Sequence, residues 1–202
     1  MSSETQERKA AVGFRVKSGW ATAVLLAGPG QTPHVLDRRL VDLSDPAVPE
    51  SKQPYHAAMG VLEEDGTKIR KRTEVVRRVT SRSLAELLDC FDAKGCPLRG
   101  AALVVGSQID PETITNPHIR AHALEGRLFR IVLADALRTH GLSCSVVAEH
   151  DIYDKAVAVL ARSEGDLKRA VAALGRALDG PWRAEDKLAT LAAWMILAVT
   201  LN

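Results

Sequence analysis

The sequence predicts an α/β fold on a five-stranded mixed sheet, three antiparallel strands followed by two parallel ones, with helices on both faces. Three observations predict it. The N-terminal part holds apolar runs joined by tight turns, the pattern of a meander. The C-terminal half holds two short runs that read as buried strands, the first wholly apolar, on either side of a long amphipathic segment, the strand–helix–strand order of a parallel pair. Finally, 202 residues that are 46% hydrophobic and 26% charged suffice for one well-cored domain and exclude a disordered chain.

Val12 to Val16 and Trp20 to Leu26 read as the first hairpin, joined by Lys17-Ser18-Gly19 with glycine where a positive φ is needed. Val35 to Leu43 is the third strand, its imperfect alternation suited to a sheet edge, and Ser44 to Gln53 is loop. A short helix is expected near His56 to Leu62. A long one follows from Thr67 to Phe91, where Val75, Val76, Val79, Leu84, Leu87, Leu88 and Phe91 recur at helical spacing. Ala101 to Val105 is a buried strand. Asn116-Pro117 supplies an N-cap and first-turn proline for a helix to His140, and Ser143 to Ala148 is the next buried strand. Asp154 to Ala161, Asp166 to Leu178 and Glu185 to Leu201 read as helices. Residues 1–202 are expected to form one domain, with residues 54–97 a basic helical insert between strands three and four.

The formal charge of +2 is too small to point to nucleic acid, so only a local concentration of cations carries that meaning. Three cysteines without a CxxC spacing make neither a zinc motif nor a disulfide framework and fit a reducing, cytoplasmic setting. Cys90 and Cys144 sit among apolar neighbours, as core residues do. Leu188 to Leu201 is apolar but falls short of the ~20 residues that span a bilayer, so a buried helix is expected and no membrane partner.

The order of elements is that of the ribonuclease H-like fold, and several motifs sharpen the likeness. Val104-Val105-Gly106, a proline-containing loop, an amphipathic helix, Gly141-Leu142, Val146-Val147-Ala148-Glu149 and a final Ala184-Glu185-Asp186-Lys187-Leu188-Ala189 resemble the YqgF (RuvX) family of Holliday-junction-resolvase-like proteins. Phe14-Arg15-Val16-Lys17-Ser18-Gly19-Trp20 resembles that family's first hairpin. The resemblance implies a ribonuclease H-like fold, and carboxylates on the first strand, after a later strand and on the last helix that converge on Mg²⁺ or Mn²⁺. Glu149 or Asp151 and Glu185 or Asp186 match the later positions. The first-strand aspartate is absent, and Arg15 stands there. A guanidinium repels a cation where a carboxylate would hold it.

Arg15, Lys17 and Ser18 at the hairpin turn are therefore candidates for binding an anion, unless Arg15 pairs internally with Glu149 or Asp186. His118, His122 and Glu125 share one face of a helix and form a candidate metal or acid–base group. Glu125-Gly126 equally suits a close packing point against the sheet. Arg70, Lys71, Arg72, Arg77, Arg78 and Arg82 line the long helix and are candidates for contacting phosphates. Two readings stand. One is a catalytically degenerate ribonuclease H-like protein that binds nucleic acid or a phosphorylated ligand, with a homodimer as a further option. The other is a divalent-metal-dependent nuclease or hydrolase rebuilt from Glu149, Asp151, Asp186 and the histidine face.

Overall fold

The computed structural model describes residues 9–57, 60–95 and 97–199. Its sheet contains β1 (Ala10–Lys17), β2 (Trp20–Ala27), β3 (His34–Asp42), β4 (Leu98–Val105) and β5 (Cys144–Ala148), in the order β3-β2-β1-β4-β5. β1, β2 and β3 run antiparallel, and β1, β4 and β5 run parallel. This is the predicted five-stranded mixed sheet. Gly19 closes the first hairpin at φ +85°, a conformation that side chains with a Cβ rarely adopt.

Alternation along the strands divides the core into two layers. Val12, Phe14 and Val16 of β1 and Ala101, Leu103 and Val105 of β4 face one side, with α1 (Gly66–Asp92) and α2 (Pro117–Thr139) packed over them. Ala11 of β1 and Ala102 and Val104 of β4 face the other, covered by α3 (Ile152–Leu160), α4 (Glu164–Leu174) and α5 (Ala184–Ala198). Asn116 caps α2 by accepting from the amides of His118 and Ile119, with Pro117 in the first turn as predicted. Nearly every residue of α5 from Leu188 to Leu197 is buried. Among the described residues, no helix is long and apolar enough to cross a membrane.

The structure corrects the sequence in several places. His56 and Leu62 pair as an isolated antiparallel bridge, a tight loop in place of the short helix, although residues 58 and 59 lie outside the described part. β5 is the sheet's second edge, so only Val147 and Ala148 of it are buried. Cys90 is exposed, because it falls on the solvent side of α1 beside buried Leu87, Leu88 and Phe91. Cys144 is half-buried, its thiol pushed up to about 11 by desolvation, and Cys96 lies outside the described residues. Gly126 is not a packing point: a Cβ there would meet nothing within 4 Å.

The close approach lies instead at Gly13 in β1. A Cβ on it would sit 1.9 Å from the Ala189 carbonyl oxygen and 2.7 Å from the Ala193 nitrogen, both backbone atoms of α5. Neither can swing aside as a side-chain tip can. Gly13→Ala is expected to destabilise the protein at or beyond the upper end of the usual overpacking range of about 1–3 kcal/mol. Gly126→Ala, in a helix interior with open space around it, should instead stabilise by about 0.5–1 kcal/mol. Urea denaturation of both variants checks the pair.

Candidate functional site

Two residues beyond Gly13 on the same face of β1 comes Arg15, at the end of the central strand where α5 begins. Its residue is 2% exposed, so its charge needs partners within the protein. Nη1 donates to the carbonyls of Val16 at 2.6 Å and Val104 at 3.4 Å, and Nη2 donates to Oε2 of Glu149. Glu149 follows β5 directly, in a short 3₁₀ turn, and nearly half of its side chain remains in water. The first-strand cation and the later-strand carboxylate therefore meet, as an ion pair.

Asp186 stands in the first turn of α5 and is buried. Its Oδ2 accepts from the Arg183 amide at 2.7 Å, which satisfies one of the free donors at the helix start, and lies 3.5 Å from Nη1 of Arg38 on β3. Arg38 also donates to the carbonyls of Asp179 and Pro181, fixing the segment that leads into α5. Lys17 Nζ lies 4.0 Å from Glu185. Asp151 pairs at the surface with His150 and Lys155. Glu149, Glu185 and Asp186 thus each face a cation of their own. Arg38 is the member that sequence reasoning missed, since an arginine on an edge strand reads as solvated.

Two cavities flank this region. One of about 410 Å³ is lined by Arg15, Lys17, Ser18, Gly106, Ile119 and His122, and so gathers the three candidate anion-binding residues. The other, about 670 Å³, is lined by Trp20, Thr22, Arg38, Arg183, Glu185 and Asp186 among others. Arg15 and Asp186 open on different cavities.

At the start of α2, His118 and His122 stand one turn apart and Glu125 points inward with no exposed surface. A third histidine joins them from the loop before α1. His56 Nδ1 lies 2.6 Å from Glu125 Oε1, and His56, His118 and His122 each offer a nitrogen within 4.8 Å of the other two. Glu125 is not one of that trio. Desolvation holds its carboxyl above the ordinary range, against the opposing hydrogen bond from His56. Desolvation, with His56 and His118 close by, holds His122 below its ordinary value. His56 carried no signal in the sequence, because 69 residues separate it from Glu125 and only the fold joins them.

The cationic face of α1 is thinner than the sequence suggests. Arg72 turns inward, pairing with Glu63 at 3.2 Å and donating to the carbonyls of Pro54 and His56. Arg78 lies 3.7 Å from Asp45, and Arg82 lies 4.0 Å from Glu86. Arg70, Lys71 and Arg77 are exposed, with no ion pair among the described residues.

Among solved structures, the chain is similar to RuvC of Thermus thermophilus in complex with a Holliday junction substrate, at 12% identity and a TM-score of 0.53, over 93% of this chain and 91% of that one. A second Thermus thermophilus RuvC structure gives 13% identity and a TM-score of 0.51, over 92% of each chain. The chain has a ribonuclease H-like fold. At such identities the likeness is one of fold, and it agrees with the resolvase-like motifs of the sequence. No family model and no curated protein matches the chain.

Within this ribonuclease H-like framework the two ends of the Arg15–Glu149 pair differ in exposure. Removing the carboxylate leaves a buried guanidinium short of an acceptor, whereas removing the guanidinium leaves a carboxylate that water reaches. Glu149→Ala is expected to cost about 1–3 kcal/mol, and Arg15→Met clearly less. Chemical denaturation of the two single variants and the double variant measures the difference.

Proposed function

We propose that the protein is a catalytically degenerate ribonuclease H-like protein that binds nucleic acid or another phosphate-bearing ligand. The observation that carries this reading is the buried Arg15 paired with Glu149. A metal-dependent nuclease of this fold needs carboxylates there with their charge free for Mg²⁺ or Mn²⁺. Here a permanently charged guanidinium occupies the first-strand position and takes up the charge of Glu149, while Arg38 lies against Asp186. The cations that neutralise the carboxylates remove the field that would draw a divalent ion in.

Phosphate binding is supported by the cations that water reaches. Arg70 and Arg77, two helical turns apart on α1, and Lys71 beside Arg70 present charge to solvent. Lys17 and Ser18 line the mouth of the 410 Å³ cavity, with Lys17 38% exposed. Such cations position a backbone without reading its sequence. The fold neighbour that is complexed with a Holliday junction makes branched DNA the first ligand to test.

The histidine trio favours a second reading, a metal-dependent hydrolase with a centre displaced from the usual place in this fold.

Branched, duplex and single-stranded DNA incubated with the protein and Mg²⁺ or Mn²⁺ should remain uncut. Cleavage that disappears in Asp186→Asn would overturn the degenerate reading. In gel-shift titrations the wild type should bind with salt-dependent affinity. Lys71→Glu with Arg77→Glu should weaken binding on all sequences alike. The same double variant should lower the slope of log K against log salt by about 0.9 for each phosphate it no longer neutralises.

A further inference from the structure

We infer that His56, His118 and His122 form a binding site for one divalent transition-metal ion of the zinc type, with Glu125 as the positioning carboxylate behind it. The inference rests on side chains other than the Arg15–Glu149 pair, and its failure leaves that reading intact.

The hydrogen bonds set the tautomers. His118 Nδ1 lies 2.8 Å from the carbonyl of Gly60, which can only accept, so this nitrogen carries the proton. His56 Nδ1 likewise faces Glu125 Oε1 at 2.6 Å. In the neutral rings the lone pairs then lie on Nε2. His56 Nε2 is buried, on a side chain only 7% exposed, and has no partner among the described residues. His118 Nε2 lies 3.3 Å from His122 Nε2. Two nitrogens bound to one tetrahedral zinc at 2.0–2.1 Å stand about 3.3 Å apart. An ion between these nitrogens uses lone pairs that otherwise face one another or nothing.

The surroundings are those of a prepared site. Metal-bound histidines almost always donate their second nitrogen to a carboxylate or a backbone carbonyl, which fixes the ring and raises its basicity. Glu125 serves His56 in this way, and its other oxygen, 3.6 Å from His122 Nδ1, has no hydrogen bond among the described residues. Gly60 serves His118 from a φ of +75°, and a Cβ on it would lie 3.2 Å from that imidazole nitrogen. Arg72 holds the loop in place by donating to the carbonyls of Pro54 and His56. Three imidazoles select zinc, cobalt, nickel or copper over magnesium or calcium, which prefer oxygen. Three protein ligands leave a fourth position for water or a ligand atom, and His122 also lines the cavity that holds Arg15, Lys17 and Ser18.

The test uses the full chain, stripped with a chelator and titrated with Co²⁺ and Zn²⁺. One Co²⁺ per chain should bind with the intense visible absorption of a tetrahedral site, and Zn²⁺ should displace it and raise Tm. His122 is 48% exposed, so His122→Ala should fold as the wild type does while losing the Co²⁺ spectrum and the Zn²⁺-dependent rise in Tm. Glu125→Gln should bind about 10–100-fold more weakly, as expected when a supporting partner is removed. Two results overturn the inference: no stoichiometric Co²⁺ or Zn²⁺ on the folded wild type, or unchanged binding in the folded His118→Ala/His122→Ala variant. Binding that survives in that double variant marks ions on other surface groups.

Discussion

A helix lies against the middle of the sheet at the one position of β1 that has no side chain. Gly13 admits the backbone of α5 to a distance that any Cβ would close. From that approach follows the placement of everything at the strand ends. Asp186, one turn before Ala189, is brought down to the sheet, and Arg15, two residues past Gly13, lies on the face of β1 that α5 covers. The nearly all-apolar length of α5 makes the approach favourable, since it buries the helix on more than one side against β1, β2 and β4 and the helices beside it.

Close packing turns the identity of Arg15 into an electrostatic requirement. A guanidinium that is 2% exposed cannot be left to water, and the nearest remedy is the carboxylate that follows β5. The same logic runs through the neighbouring charges. Arg38 reaches from the edge strand to Asp186 and to the carbonyls of Asp179 and Pro181, tying β3 to the entry of α5. The negative charge at this end of the sheet is distributed into separate ion pairs. The fold remains recognisable at 12% identity because strand order and helix placement tolerate wide changes of side chain.

On the other face, a similar economy gathers three histidines around one buried carboxylate. Arg72 gives up its place on the solvated side of α1 to hold the carbonyls of Pro54 and His56, and so brings His56 onto α2. The helix cap at Asn116 fixes where His118 and His122 begin their turn. His122 and Arg15 line the same cavity, so the two polar clusters share a wall. That cavity has a hydrogen-bonded cation and an imidazole among its lining residues.

Period and punctuation alone determined the scaffold. Apolar alternation, the Gly19 turn, the Asn116-Pro117 cap and the apolar runs of β4 and α5 each act over a few residues, so strand order and helix class were legible. The absence of a first-strand carboxylate at Arg15 was legible for the same reason. Solvent exposure was not: Ser143 to Ala148 reads as a buried strand, but only the sheet order made it an edge. Glycines misled similarly, since a sequence does not say which glycine meets another backbone, and it was Gly13 and not Gly126. Pairings were the last to appear. The partners of Arg15, Asp186 and Glu125 come from distant segments, and charge carries no periodic trace of its partner. Tertiary structure alone decided that Arg15 meets Glu149, that Arg38 meets Asp186, and that His56 joins the histidines of α2.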